Sequence, residues 1–329
     1  MPQTFLFPGL QQQDESTVVN VASVPQRSPF RYPGGKTWLV PLLRRWIKSK
    51  QRRPSVCVEP FAGGGIISLT VAFEELATHV VMAELDAQVA SVWQTILEGD
   101  AKWLINRILN FDLSPETVKA ELNNAVDSSK ELAFQTILKN RTAHGGILAE
   151  GAGVLKNGEN GKGIRSRWYP QTIAKRISNI EYVKNRIDFF HEDAFIILEQ
   201  HRQDANAVFF LDPPYTAGGK NAGSRLYTHS QIDHERLFTV CESLRGDFLM
   251  TYDNAEEVRI LSAKHGFETK PVSMKNTHHA EMTELLIGRN LNWVMDGGIF
   301  REEPVPYKAE MTIDRKRSTG KRNSKKSKC

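Results

Sequence analysis

The chain has 329 residues, 40% hydrophobic and 25% charged, enough for one large α/β domain with a smaller module or for two modest domains. No apolar run approaches the roughly 20 residues that span a bilayer, no basic stretch leads into an apolar core at the N-terminus, and Cys57, Cys241 and Cys329 are too scattered for a disulfide framework or a zinc site. Net charge is +5, yet eight Lys/Arg without an acid lie between Arg315 and Lys328, leaving 35 basic against 38 acidic residues, so attraction to nucleic acid must come from local patches and from that tail.

Residues 1–27 are polar and without a sustained period, and read as a flexible arm. Residues 55–59 (SVCVE) are a short apolar run stopped by Pro60 and a glycine cluster, the pattern of a buried strand. A helix over 66–75, a second strand over 79–83 (HVVMA) and a helix over 88–97 follow. Strand–helix–strand at this spacing is a βαβ unit and implies a parallel sheet. Residues 101–140 are helical in pattern, with Leu132, Phe134, Ile137 and Leu138 at helical spacing. The glycine-rich stretch 141–163 reads as a functional loop. The α/β alternation then returns: a strand over 207–211 (AVFFL), a helix over 232–243, a strand over 248–251 and a helix over 255–263. Residues 283–287 (TELLI) form a last strand, antiparallel at or beside one edge. Residues 301–329 end in a basic, disordered tail suited equally to solubility and to DNA binding. The expected fold is α/β, with a mainly parallel central sheet built from 28–100 and 191–300 and an inserted, mostly helical module over 101–190.

Two turns carry chemistry. Val58-Glu59-Pro60-Phe61-Ala62-Gly63-Gly64-Gly65 ends a strand and opens a helix, where glycines let a ligand approach the backbone. Nineteen residues beyond Gly65, Glu84 ends the second strand, where an acid can accept from both ribose hydroxyls of a nucleoside cofactor. NAD, FAD and S-adenosylmethionine all fit that logic. The turn lacks GxGxxG and a Lys-Ser/Thr pair, so a pyrophosphate or triphosphate has no usual cradle. The second turn, Leu211-Asp212-Pro213-Pro214-Tyr215, follows the strand AVFFL directly. Two prolines stiffen it and remove two backbone donors. Asp212 and the Pro213 carbonyl can then both accept from an NH2 group, freeing the nitrogen lone pair for a methyl cation, while Tyr215 can stack on the ring that carries the amine. Each turn alone is equally compatible with a purely structural strand end.

Together they form an ordered set over about residues 28–290 that resembles the Dam-like D12 class of DNA adenine N6-methyltransferases. Pro29-Phe30-Arg31-Tyr32-Pro33-Gly34-Gly35-Lys36 is similar to that class's PFLRWAGGK segment, which places Tyr32 and Lys36 beside the cofactor. Glu59–Gly65 resembles its methionine-binding turn, and Glu84-Leu85-Asp86 its ribose-binding Asp-Ile-Asn. Glu192-Asp193-Ala194-Phe195 resembles its GDF segment, whose acid approaches the cofactor adenine, and Glu284-Leu285-Leu286-Ile287 its closing strand.

The resemblance implies a Rossmann-like methyltransferase fold with a target-recognition module. It implies S-adenosylmethionine as cofactor, held by Tyr32, Lys36, Glu59, Phe61, Gly63, Gly65, Glu84 and Asp193, and catalysis by Asp212, Pro213, Pro214 and Tyr215 on an adenine flipped out of double-stranded DNA. Leu138-Lys139-Asn140-Arg141 resembles the class's LNR stretch, but the residues after it do not follow the pattern of enzymes that read GATC. Arg141, Lys156, Lys162, Arg165, Arg167, Trp168, Lys220 and Arg225 have the side chains for phosphates, guanine edges or stacking. The expectation is a cytoplasmic, nucleoid-associated enzyme that needs no metal or membrane, with its oligomeric state left open and a monomer compatible with the sequence. Cytosine N4 methylation is the nearest alternative, disfavoured by Asp212, because such enzymes more often carry Ser-Pro-Pro-Tyr. An idle DNA-binding protein of the same fold is the other.

Overall fold

The computed structural model describes residues 17–18, 24–31, 35–148, 155, 158, 161–214, 232–275 and 281–294. Its strands are β1 (Thr17–Val18), β2 (Val56–Glu59), β3 (His79–Ala83), β4 (Ile187–Phe190), β5 (Ala207–Leu211), β6 (Asp247–Asp253), β7 (Glu268–Lys275) and β8 (Glu281–Gly288). They form one sheet in the order β1-β7-β8-β6-β5-β2-β3-β4. Only β8 runs against its neighbours, β6 and β7. The fold is thus α/β with a mainly parallel sheet, and the last strand is antiparallel as its sequence suggests, though it lies inside the sheet.

The side-chain period of two sorts each strand between the faces. Cys57, Val80, Met82, Val208 and Phe210 point into one core with Trp46, Ile67 and Trp93. Val56, Val58, Val81, Phe209 and Leu211 point into the other with Ile197, Phe238 and Tyr252. Buried on both faces, β5 is apolar throughout, which is why AVFFL is so legible. Helices α1 (Val40–Lys48), α2 (Ile66–Phe73), α3 (Ala87–Leu97), α4 (Ala101–Asn110), α5 (Pro115–Asn123), α6 (Ser129–Thr142) and α7 (Pro170–Ile180) all contribute to the first core. Helices α8 (Ala194–His201), α9 (His234–Ser243) and α10 (Glu256–Lys264) cover the second face. Leu104, Phe134, Ile137 and Ile177 of the helical segment share one continuous core with Leu43 and Trp93 of the sheet's own layer.

From β2 the chain builds outward through β3 and β4, then returns to add β5 on the other side of β2. Strand order therefore reverses between β2 and β5. In open α/β sheets the crevice beyond the carboxyl ends of the strands at such a reversal is where ligands bind. The two turns singled out in the sequence, 59–65 and 212–215, leave the ends of these two strands.

Candidate active site

The glycine turn is tied down from both sides. Gly63 and Gly65 have φ of 47° and 64°, the left-handed region that favours glycine. The Ala62 amide donates to the Ala83 carbonyl at 2.9 Å, and the Trp93 indole N–H donates to the Gly63 carbonyl at 2.9 Å. From the other side the Ser28 hydroxyl donates to the Gly64 carbonyl at 2.5 Å, and the Phe30 ring packs 5.7 Å from Trp93.

Glu84 organises the turn through both oxygens: Oε2 accepts from the Gly63 amide at 2.9 Å and Oε1 from the Asp86 amide at 3.0 Å. A carboxylate has about four acceptor sites, so the Gly63, Asp86 and Leu85 amides leave room for a hydroxyl donor. Asp193 lies on the same side of the crevice, since the Glu84 amide donates to the Phe190 carbonyl at the end of β4. Asp193 caps α8 by accepting from the Phe195 amide at 2.8 Å. Phe61 is partly buried beside the second core. Glu59 is 3% exposed, and its Oε2 accepts from the Ser68 amide at 2.8 Å and from the Ser68 hydroxyl, locking the end of β2 to the first turn of α2.

Across the crevice, Asp212 follows β5 with Pro213 buried and Pro214 half-buried. Its Oδ1 accepts from the Thr251 hydroxyl at 2.8 Å and meets the Lys36 ammonium at 3.2 Å. Lys36, 4% exposed in a single 3-10 turn (Lys36–Leu39), also donates to both oxygens of Glu284, at 3.2 and 2.9 Å.

Burial dominates the electrostatics. It pushes the Glu59 carboxyl up to about 8 against two hydrogen bonds from Ser68, with Asp212 and Glu84 adding repulsion. It pushes Glu284 up to about 7 against the pull of Lys36, and raises Asp212 against Lys36 and Thr251. Glu84 is raised by burial too, opposed by its backbone hydrogen bonds. Four acids with raised affinity for protons thus lie at one end of the sheet, with Lys36 between two of them. That is a setting for a cationic ligand.

The segment 28–31 is stapled to the helical layer by residues of the Leu138–Arg141 stretch and by Arg176. The Asn140 amide accepts from the Arg31 amide at 2.9 Å and donates to the Arg31 carbonyl at 3.0 Å and the Gly146 carbonyl at 2.8 Å. Arg141 donates to the Pro29 carbonyl, and Arg176 to the Ser28 carbonyl at 2.9 Å. Arg141 is 4% exposed, and burial beside Arg176 and Arg31 holds its guanidinium down at about 9. It anchors a chain segment from inside and offers no surface to a phosphate. Trp168, 8% exposed, packs edge-on to Phe111 at 6.1 Å within the first core. Lys162 and Arg165 are exposed and Arg167 half-buried. Tyr32, Lys156, Tyr215, Lys220 and Arg225 lie outside the described residues.

Neither Glu284 nor Trp93 is marked as a site residue by the sequence. For Glu284 one signal exists: it is an acid inside an otherwise apolar strand, and a buried acid calls for a partner.

A family model of D12 class N6 adenine-specific DNA methyltransferases matches residues 32–277, three quarters of the chain. The chain belongs to that family. The reaction of this D12 methyltransferase is methylation of adenine N6 in DNA, with S-adenosylmethionine as donor, and cytosine N4 is not favoured. Among solved structures it is similar to an rRNA methyltransferase from Streptomyces viridochromogenes (13% identity, 78% of this chain and 86% of that one, TM-score 0.35). It is also similar to a methyltransferase from Geobacter sulfurreducens (14% identity, 77% of each chain, TM-score 0.33). No curated protein sequence matches it. No helix among the described residues is long and apolar enough to cross a membrane.

The residues of the crevice fit the cofactor. Glu84 presents lone pairs suited to ribose hydroxyls, and the buried acid Glu59 at the head of the glycine turn suits a cationic group of the cofactor.

Proposed function

We propose that this D12 methyltransferase takes an adenine flipped out of double-stranded DNA onto the Asp212-Pro213-Pro214-Tyr215 turn, with S-adenosylmethionine held by Glu84, Asp193, Phe61 and the turn from Glu59 to Gly65. The observation that carries this reading is the convergence of the two turns at the β2/β5 reversal, with Asp212 held by Lys36 and Thr251. When bound, the cofactor supplies a methyl group with the electron demand of its sulfonium and leaves as a neutral thioether. Asp212 and the Pro213 carbonyl accept the two amine N–H groups, so the nitrogen lone pair turns out of conjugation and forms the new N–C bond. The Asp212 carboxylate then takes the proton that the methylated nitrogen sheds. Tyr32 and Tyr215 are assigned by resemblance to the cofactor and the base.

DNA phosphates and base edges are met by Lys162, Arg165 and Arg167, together with Lys156, Lys220 and Arg225. Arg141 and Trp168 are left out of this set because both are buried. Lys36 is assigned to the Asp212 carboxylate rather than to direct contact with the cofactor. Residues 28–100 and 191–300, together with β4, form the catalytic unit, and the rest of 101–190 holds the elements that choose the target. Tritiated cofactor incubated with duplex DNA should label adenine N6 at one sequence motif. Absence of label in N6-methyladenine, with wild-type protein that binds the cofactor, refutes the reading.

The four raised acids predict a pH dependence. Glu59, Glu84, Asp212 and Glu284 hold protons in the folded state that the unfolded chain releases near its ordinary values of 4.5, 4.5, 3.8 and 4.5. Their contribution to stability is therefore fully present below those values and is lost as pH rises to about 7 for Glu284 and about 8 for Glu59. The melting temperature of the free protein should fall across that window. A cationic ligand relieves the repulsion, so the rise in melting temperature with S-adenosylmethionine should be larger at the alkaline end than at the acidic end. A rise that does not grow with pH counts against the cationic-ligand assignment.

A further inference from the structure

The Asp212 carboxylate is held unevenly. Oδ1 receives both the Thr251 hydroxyl and the Lys36 ammonium, and no donor reaches Oδ2 among the described residues. Lys36 is shared unevenly too: Glu284 takes it with both oxygens, at 2.9 and 3.2 Å, whereas Asp212 meets it through Oδ1 at 3.2 Å. The fold explains how Glu284 arrives there. An antiparallel strand inserted among parallel ones brings its beginning to its neighbours' ends, and β8 sets Glu284 opposite Asp253 at the end of β6 and Val272 of β7. At 5% exposure it has little solvent and little freedom to move.

We infer that Glu284 is a positioning residue for methyl transfer: it draws the Lys36 ammonium away from full pairing with Asp212, so that Asp212 Oδ2 stays free and negative for the adenine amine. With one ammonium between two carboxylates the cluster carries a net negative charge, which stabilises the cationic nitrogen as the N–C bond forms. Without Glu284 the same ammonium neutralises Asp212 alone, and its carboxylate turns towards Lys36. Geometric loosening of this kind costs on the order of 100-fold in rate. The groups facing Glu284 are Lys36 from the 3-10 turn, Asp212 after β5 and Asp253 of β6. Glu284 itself takes up a proton at about 7, so the clamp is engaged above that pH and released below it.

The inference rests on the methyl-transfer reading, and one set of single-turnover measurements with tritiated cofactor, from pH 6 to 9, separates the two. Wild type should show a rate that falls as pH drops through about 7. Glu284→Gln should lose on the order of 100-fold at the alkaline plateau. It should also lose the acidic limb, with cofactor and DNA affinities within a fewfold of wild type. Thr251→Val removes only the hydroxyl on Oδ1; it should lower the rate less and keep the limb, and it carries the test if Glu284→Gln does not fold. An active wild type without an acidic limb overturns the inference. So does a folded Glu284→Gln with an unchanged rate, one whose loss is all in cofactor affinity, or a Thr251→Val that transfers as wild type does. A wild type that binds cofactor and transfers nothing overturns the methyl-transfer reading instead.

Discussion

Asp212→Ala should lower the single-turnover rate of methyl transfer by about 10³-fold while leaving the dissociation constant of S-adenosylmethionine within a fewfold of wild type. The magnitude is that of a positioned acceptor in proton transfer, roughly 10²- to 10⁴-fold. The separation of rate from binding follows from the geometry. The groups assigned to the cofactor hang on other partners: Glu84 on the Gly63 and Asp86 amides, and the turn itself on Trp93 and Ser28. None of these bonds passes through Asp212. Removing it also leaves the Lys36 ammonium with both oxygens of Glu284, so no buried cation is stranded. The fold should therefore survive, and since a buried carboxylate with raised proton affinity has gone, the melting temperature at alkaline pH should not fall. Rate constants from rapid-quench assays and binding curves from fluorescence or calorimetry check both halves. A variant that keeps transferring within about tenfold of wild type shows that the amine finds its acceptor elsewhere, and one that loses cofactor affinity in step with rate moves Asp212 into the cofactor site.

The parts of the fold that were legible in the sequence are those in which local pattern and burial coincide. β2, β3 and β5 are short apolar runs because both faces of the sheet are covered. β4 was not legible: IDFF lies at the sheet's edge, and three of its four residues are exposed or half-buried. β7 carries Pro271, which masks its pattern, and β1 is two residues long. In the site, Asp212, Glu84 and the glycines were legible because a turn's chemistry is written in adjacent residues. Glu284 was not, because its partner Lys36 is 248 residues away and only the antiparallel insertion of β8 brings them together. Arg141 and Trp168 show the converse. Their side chains suit DNA, but burial gives Arg141 to the Pro29 carbonyl and Trp168 to the Phe111 ring. Residue type proposes a partner; the packing around it decides.

That lesson is sharpest at Gly65, where an added methyl group should disrupt the cofactor turn more than its size suggests. A Cβ there would lie 2.7 and 2.9 Å from two atoms of the Trp93 ring and 3.0 Å from the Met82 methyl group, at a φ of 64°. The left-handed backbone costs an L-residue about 1–2 kcal/mol. Overpacking a filled core costs about 1–3 kcal/mol more. Trp93 cannot swing aside cheaply, since it is fully buried and its indole N–H holds the Gly63 carbonyl, so yielding to the methyl group means releasing the turn. Gly65→Ala should therefore lower the melting temperature on the order of 10 °C, given about 2–4 °C per kcal/mol for a domain of this size, and weaken cofactor binding with it. Gly266 separates the two causes. Its φ of 68° is nearly the same, but a Cβ there meets nothing within 4 Å, so Gly266→Ala should show the backbone cost alone. Trp93→Phe opens space beside Gly65 at the expense of one hydrogen bond. Combined with Gly65→Ala it should destabilise by less than the sum of the two single changes, the signature of a shared contact. Equal losses for Gly65→Ala and Gly266→Ala, or strict additivity with Trp93→Phe, would mean that the indole does not clamp the turn, and that strain at φ 64° is all that glycine relieves there.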